Sequence, residues 1–225
     1  MSVEIALVAA RVRYGPLEAL HGLDLPVPAA TVTVLLGRNG AGRTTALRAL
    51  AGTVPLSGGR VVWRGADVTR LPAHRRARRG LCLVPDRQAV YATLTVAENL
   101  ALSPGDPDEA LAAYPALAPL LPRRAGTLSG GERRMLAVSR ALLTPAARVV
   151  LVDEPTLGMS PPVAARTYEL LAALVTDRGA AVVLAEQRLP PPAGLPPGTL
   201  VHELRRGSLA FSGEPQEPTT SRESR

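Results

Sequence analysis

Apolar residues fall into short runs without strict alternation, separated by longer stretches with helical spacing. The strand-like run TVTVLL (Thr31 to Leu36) precedes helical spacing from Arg43 to Ala51, and further strand-like runs begin at Arg60 (RVVW) and Leu81 (LCLV). Later come a helix from about Gly131 to Leu143, the apolar strand VVLVD (Val149 to Asp153), a helix from about Pro161 to Asp177 and the strand AAVVLA. Apolar strands that do not alternate suit parallel strands buried on both faces and covered by helices, which predicts an α/β fold. The first fifteen residues, MSVEIALVAARVRYG, alternate in polarity, carry an early acid and lack a basic head, so they read as a strand and not as a signal peptide.

Between Ala97 and Arg124 the strand signal stops and prolines recur, which predicts a small helical insertion with short helices. After Gln187, five prolines in QRLPPPAGLPPGT forbid a regular helix. LVHELRRGSLAFSG then predicts a hairpin turning at Arg206-Gly207, and the polar stretch from Glu214 predicts a disordered tail.

Composition narrows the picture. At 225 residues and 46% hydrophobic, the chain suits one or two domains with a sizeable core, and at 3% aromatic that core must be built from Ala, Leu and Val. All 26 basic residues are arginine. The net charge of +7 and the run HRRARR (His74 to Arg79) fit either a surface for nucleic acid or anionic lipid or an ordinary solvated face; the second is preferred. The single Cys82 excludes an internal disulfide and reads as a buried structural thiol. No apolar stretch reaches the ~18 residues of a spanning helix, so a cytoplasmic chain is expected, with any membrane role supplied by a partner.

Three stretches carry chemistry. GRNGAGRTT comprises Gly37, Arg38, Asn39, Gly40, Ala41, Gly42, Arg43, Thr44 and Thr45; it has the spacing of a phosphate loop, G-x-x-x-x-G-K-[ST], with Arg43 at the lysine position. Its glycines let backbone amides and a helix N-terminus point at phosphate oxygens, and Thr44 offers a hydroxyl to Mg2+. Alone, it is equally a Gly-rich turn. Asp153 and Glu154 end a buried strand, where an aspartate can hold Mg2+ and a glutamate can orient water, or where both merely cap a helix. Leu128, Ser129, Gly130, Gly131 and Glu132 (LSGGE) open a helix as a second anion site or as an ordinary cap.

In this order and at these separations, the three stretches resemble the Walker A, signature and Walker B motifs of ATP-binding cassette (ABC) proteins, over about residues 3 to 213. The resemblance implies a P-loop NTPase core with an N-terminal antiparallel β subdomain and a shortened helical insertion at about 87–145. A single domain over 1–213 and a tail over 214–225 complete that reading. It also places Tyr14 under adenine, Asp86 at the Q-loop, Thr156 to Ser160 in the D-loop and Gln187 at the switch position. LVPDRQAVYATLTVAENL, DEPTLGMSP and LAEQ further resemble one of the two ATP-binding subunits of branched-chain amino-acid importers, whose relatives serve urea and other amides. In that group an acid at the Q-loop and a glutamine at the switch are usual.

By this resemblance, two cassettes pair head to tail as a homo- or heterodimer, each ATP lying between one phosphate loop and the other subunit's LSGGE. Glu154, Gln187 and Asp86 serve catalysis, and Thr44 and Asp153 hold Mg2+. Membrane permease subunits dock near Asp86 and Arg87, a periplasmic or extracellular solute-binding protein acts indirectly, and no nucleic acid is involved. The chain then lies on the inner face of the cell membrane. Alternative readings are a subunit that hydrolyses little and lends its LSGGE to a competent partner, and a soluble cassette acting on nucleic acid or ribosomes.

The sequence departs from the family at Arg43, where a planar guanidinium replaces a compact ammonium; loss of a well-placed contact implies a cost on the order of 3 kcal/mol in rate. Arg133 and Arg134 stand where glutamines are usual and are expected to help the dimer interface. The proline-rich RLPPPAGLPPG replaces a helix expected after Gln187.

Overall fold

A computed structural model describes residues 2–87, 89–191 and 194–215. The expected tail therefore lies, from residue 216 on, outside the described residues, as do two positions of the proline-rich stretch. Strands β1 (Val3–Tyr14), β2 (Leu17–Pro28), β4 (Gly58–Trp63) and β5 (Ala66–Asp67) form an antiparallel sheet in the order β2-β1-β4-β5. A second sheet runs β10-β9-β3-β8-β7-β6, from β3 (Val32–Leu36), β6 (Leu81–Val84), β7 (Val149–Asp153), β8 (Ala181–Glu186), β9 (Leu200–Arg205) and β10 (Ser208–Gly213). Its pairs are parallel except for the β9–β10 hairpin, whose turn at Arg206 and Gly207 has φ of 48° and 76°, the left-handed pair that a tight hairpin requires.

Successive side chains of the parallel strands point to opposite faces, so each strand feeds two cores. Val150 and Val152 pack under the helices α3 (Val96–Ala101), α4 (Pro107–Ala113), α5 (Gly130–Leu142) and α6 (Pro161–Arg178). Val149 and Leu151 pack with α1 (Arg43–Ala51) and the inner face of the antiparallel sheet. With apolar residues needed on both faces, these strands could not alternate. Prolines shape the insertion as expected: α3 and α4 have six and seven residues, and Pro115–Leu120 is a 3-10 turn.

The basic run His74 to Arg79 is not a uniform solvated face. It forms α2 (Ala73–Arg78), which carries Arg76 into the interior at 1% exposure while its neighbours stay outside. Arg76 donates to five carbonyls: Nε to Leu71 (2.9 Å), Nη1 to Ala49 and Leu50 (3.0 and 2.6 Å), and Nη2 to Val68 and Thr69 (2.7 and 3.1 Å). Two of these carbonyls end α1, where a cation also meets the negative pole of the helix. Cys82 packs half-buried against the helical core, and desolvation pushes its thiol up to about 11, so it is protonated and inert at neutral pH. No described helix is long and apolar enough to cross a membrane.

Candidate nucleotide-binding site

The carboxyl ends of β3, β7 and β8 converge on one cleft of about 680 Å3. It brings together Tyr14, the loop from Asn39 to Thr45, Asp86, Asp153, Glu154 and Gln187, residues far apart in the chain. Gly37 and Arg38 support the loop without lining the cleft, through Gly37 N–H to Glu186 O (3.2 Å) and Ala41 N–H to Arg38 O (3.0 Å). Gly42, the residue before α1, has φ of 103°, and a Cβ there would stand 3.1 Å from Ala19 O, so both conformation and packing demand glycine. The first turn of α1 has neither a side-chain cap nor an acid, leaving its amides to an anion from outside.

Asp153 is 2% exposed, and its Oδ1 is buried without a hydrogen-bond partner among the described residues. Burial raises its pKa; the Thr44 hydroxyl and Arg43 oppose that shift, and Asp86 and Glu154 add to it. A hydroxyl beside an unsatisfied carboxylate oxygen is a hard, oxygen-only donor set, which fits Mg2+. No group of three or more His, Cys, Asp or Glu suited to a metal exists among the described residues, and Mg2+ commonly takes its remaining ligands from water and phosphate.

Glu154 follows the strand with φ of 50°, a left-handed conformation that costs a non-glycine residue about 1 kcal/mol or more. Its N–H is anchored on Ala185 O (2.9 Å). Its Oε1 accepts from Gln187 Nε2 (2.8 Å) and from Arg43 Nη2 (3.1 Å). Arg43, 6% exposed, also donates from Nη2 to Asn39 Oδ1 (3.4 Å), while its Nη1 is buried without a partner among the described residues. Asp86, at the cleft wall, pairs with Arg48 of α1 at 3.7 Å.

Leu128 to Glu132 do not line this cleft. Ser129 Oγ accepts from Glu132 N–H (3.2 Å), and Glu132 Oε2 accepts from Ser129 N–H (2.7 Å), a capping box that opens α5. Gly131 lies against the loop after β7, where a Cβ would stand 2.5 Å from Gly158 O. The expected interface role fails for Arg134, which is 5% exposed and turns inward to donate to Pro85 O (2.6 Å) beside Asp86. Arg133 bends back to Leu128 O. A long side chain at a core-facing position of α5 has no route to the surface, so it spends its charge on the nearest carbonyl.

Two features escape sequence reading. Arg206 lines the cleft because the β9–β10 turn docks on the loop through Gly207 N–H to Ala41 O (2.9 Å), a contact with no local sequence signal. Glu186, beside Gln187, accepts from Tyr168 OH (2.5 Å), which in turn meets Thr156 Oγ1 (3.1 Å), joining the loops after β7 and β8. Its only sequence signal is an acid at the end of a buried strand.

Burial, chiefly, and the nearby Glu154 push Glu186 from 4.5 up to about 7, against the pull of Tyr168, Arg43 and Arg134. Between pH 4.5 and 7 the folded state keeps a proton that the unfolded state releases, so stability falls as pH rises through this window and levels off above it. The full span amounts to about 3 kcal/mol, and Glu186→Gln should abolish it. Urea unfolding at pH 5 and pH 8 checks this: the wild type should lose stability relative to the variant, and parallel behaviour would remove the effect.

Comparison with known proteins agrees with this geometry. The family model for ABC transporters matches residues 20–157. The chain is 34% identical to the probable branched-chain amino acid transport ATP-binding protein LivF of Archaeoglobus fulgidus, over 91% of this chain and 89% of the relative. It is also 34% identical to the high-affinity branched-chain amino acid transport ATP-binding protein BraG of Pseudomonas aeruginosa, over 77% and 78%. In fold it is similar to a dimeric ATP-binding cassette in a post-hydrolysis state bound to ADP and Pi, with TM-score 0.81, 19% identity and coverage of 93% and 98%. Family match, relatives and the two-sheet α/β fold together make this chain an ATP-binding subunit of the ABC transporter family.

Proposed function

We propose that this chain hydrolyses ATP to power an importer of branched-chain or related amino acids. The observation that carries the hydrolytic part is the convergence of Thr44, Asp153, Glu154 and Gln187 on the phosphate loop in one cleft. The substrate class rests on the resemblance to LivF and BraG. Residues 1–213 act as one cassette with its helical insertion at about 87–145, held on the inner face of the membrane by permease subunits.

Tyr14 stacks on adenine, and the amides of Gly40 to Thr45 receive the phosphates. Thr44 and Asp153 would hold Mg2+, which would supply charge screening for the phosphates. Gln187 orients Glu154, and Glu154 orients the attacking water. The water oxygen bonds to the γ-phosphorus as the bond to the β,γ-bridging oxygen breaks, and ADP leaves with that electron pair. The water's protons end on the released phosphate and, through Glu154, in solvent. The LSGGE segment, outside its own cleft, serves the ATP of a second cassette.

A second reading, a subunit that hydrolyses little and lends its signature to a partner, is favoured by one contact: Arg43 occupies Glu154 Oε1. Reconstitution with its membrane subunits tests the main reading. ATP-dependent uptake of labelled leucine is expected, halted by Asp153→Ala. Uptake that persists undiminished in that variant assigns the power stroke to another subunit.

A further inference from the structure

Arg43 stands at the lysine position of the phosphate loop, and its two terminal nitrogens are in different situations. Nη2 is engaged by Glu154 Oε1 (3.1 Å) and Asn39 Oδ1 (3.4 Å). Nη1 is buried and has no partner among the described residues. A buried charged donor without an acceptor is costly, and the site around it is built for an anion: uncapped α1 amides and a cleft opening along the loop. A guanidinium is a rigid fork whose nitrogens bond separate acceptors at once, whereas an ammonium is a point charge.

We propose that Arg43 is a bridge that binds the terminal phosphate through Nη1 while Nη2 holds the Glu154 carboxylate, so that arrival of the phosphate fixes the glutamate. The inference rests on the ATP-site reading above and adds to it a positioning role suited to the rigid, planar fork of a guanidinium. The backbone of Glu154 is anchored on Ala185, and its carboxylate is met by Arg43 and Gln187. Without the bridge, the phosphate and the glutamate, both anionic, repel each other across the cleft.

The test is a double-mutant cycle of Arg43→Lys and Glu154→Gln on the full chain, read in kcat, KM and the dissociation constant of a fluorescent ATP analogue. Arg43→Lys should lower kcat at least tenfold while the dissociation constant stays within threefold, and it should change nothing further in the Glu154→Gln background. A lysine variant as fast as or faster than wild type overturns the bridge, as do effects on kcat that multiply. Should wild type turn over no faster than Glu154→Gln, the hydrolytic reading fails, and the bridge is then judged on binding alone. In that case effects of the two substitutions on analogue affinity that depart from multiplicativity by threefold or more uphold it, and multiplicative effects reject it.

Discussion

Glu154→Gln is expected to lower steady-state ATP hydrolysis by at least about a hundredfold while the protein still binds ATP, because positioned acid–base groups contribute roughly 10²–10⁴ in rate. The amide preserves the size of the side chain and can still accept from Gln187, but it cannot take a proton from water. The strained backbone at φ 50° and the Ala185 anchor are unaffected by the exchange, so the fold should persist. Phosphate release and equilibrium binding measured on the same preparation separate the two effects. Loss of binding together with turnover would mean that Glu154 builds the pocket instead of serving the reaction, and unchanged turnover would move the chemistry to another subunit.

The second large effect lies far from the chemistry. Arg76→Ala should destabilise the chain by about 4 kcal/mol, since a buried charged donor group is removed and carbonyls of three segments lose their partner. Arg76→Lys should recover less than half of this, because an ammonium cannot reach carbonyls on the end of α1, on Leu71 and on the Val68–Thr69 segment together. The midpoint of urea unfolding gives both values. A loss below about 1 kcal/mol for the alanine variant would show that water replaces the guanidinium at no cost.

The difference between these two residues shows what a sequence discloses. The parallel strands were legible because burial on two faces forces continuous apolar runs, and the hairpin was legible because Arg206-Gly207 separates two short strand-like segments. Strand β2 was not: Gly22, Pro26 and Pro28 weaken its local signal, and its pairing with β1 supplies what its own residues lack. Arg76 looked like one more surface arginine, since nothing local distinguishes the one turned toward α1.

In the cleft, Thr44, Asp153 and Glu154 could be nominated from motif spacing, while Asp86, Tyr14 and Gln187 needed the family resemblance to stand out. The Arg43 contact with Glu154 joins residues 111 positions apart, and only the fold brings them together. Arg134 misled for the opposite reason: its charge pointed to an interface, and the helical phase of α5 carried it inward to Pro85.

Whether this chain's own cleft turns ATP over is settled most directly by phosphate release from the assembled transporter at saturating Mg-ATP, with the partner cassette's corresponding glutamate replaced by glutamine. Release of many phosphates per transporter, lost on adding Glu154→Gln, is the predicted result. Release of at most one phosphate per site, with ATP retained in the cleft, would contradict it.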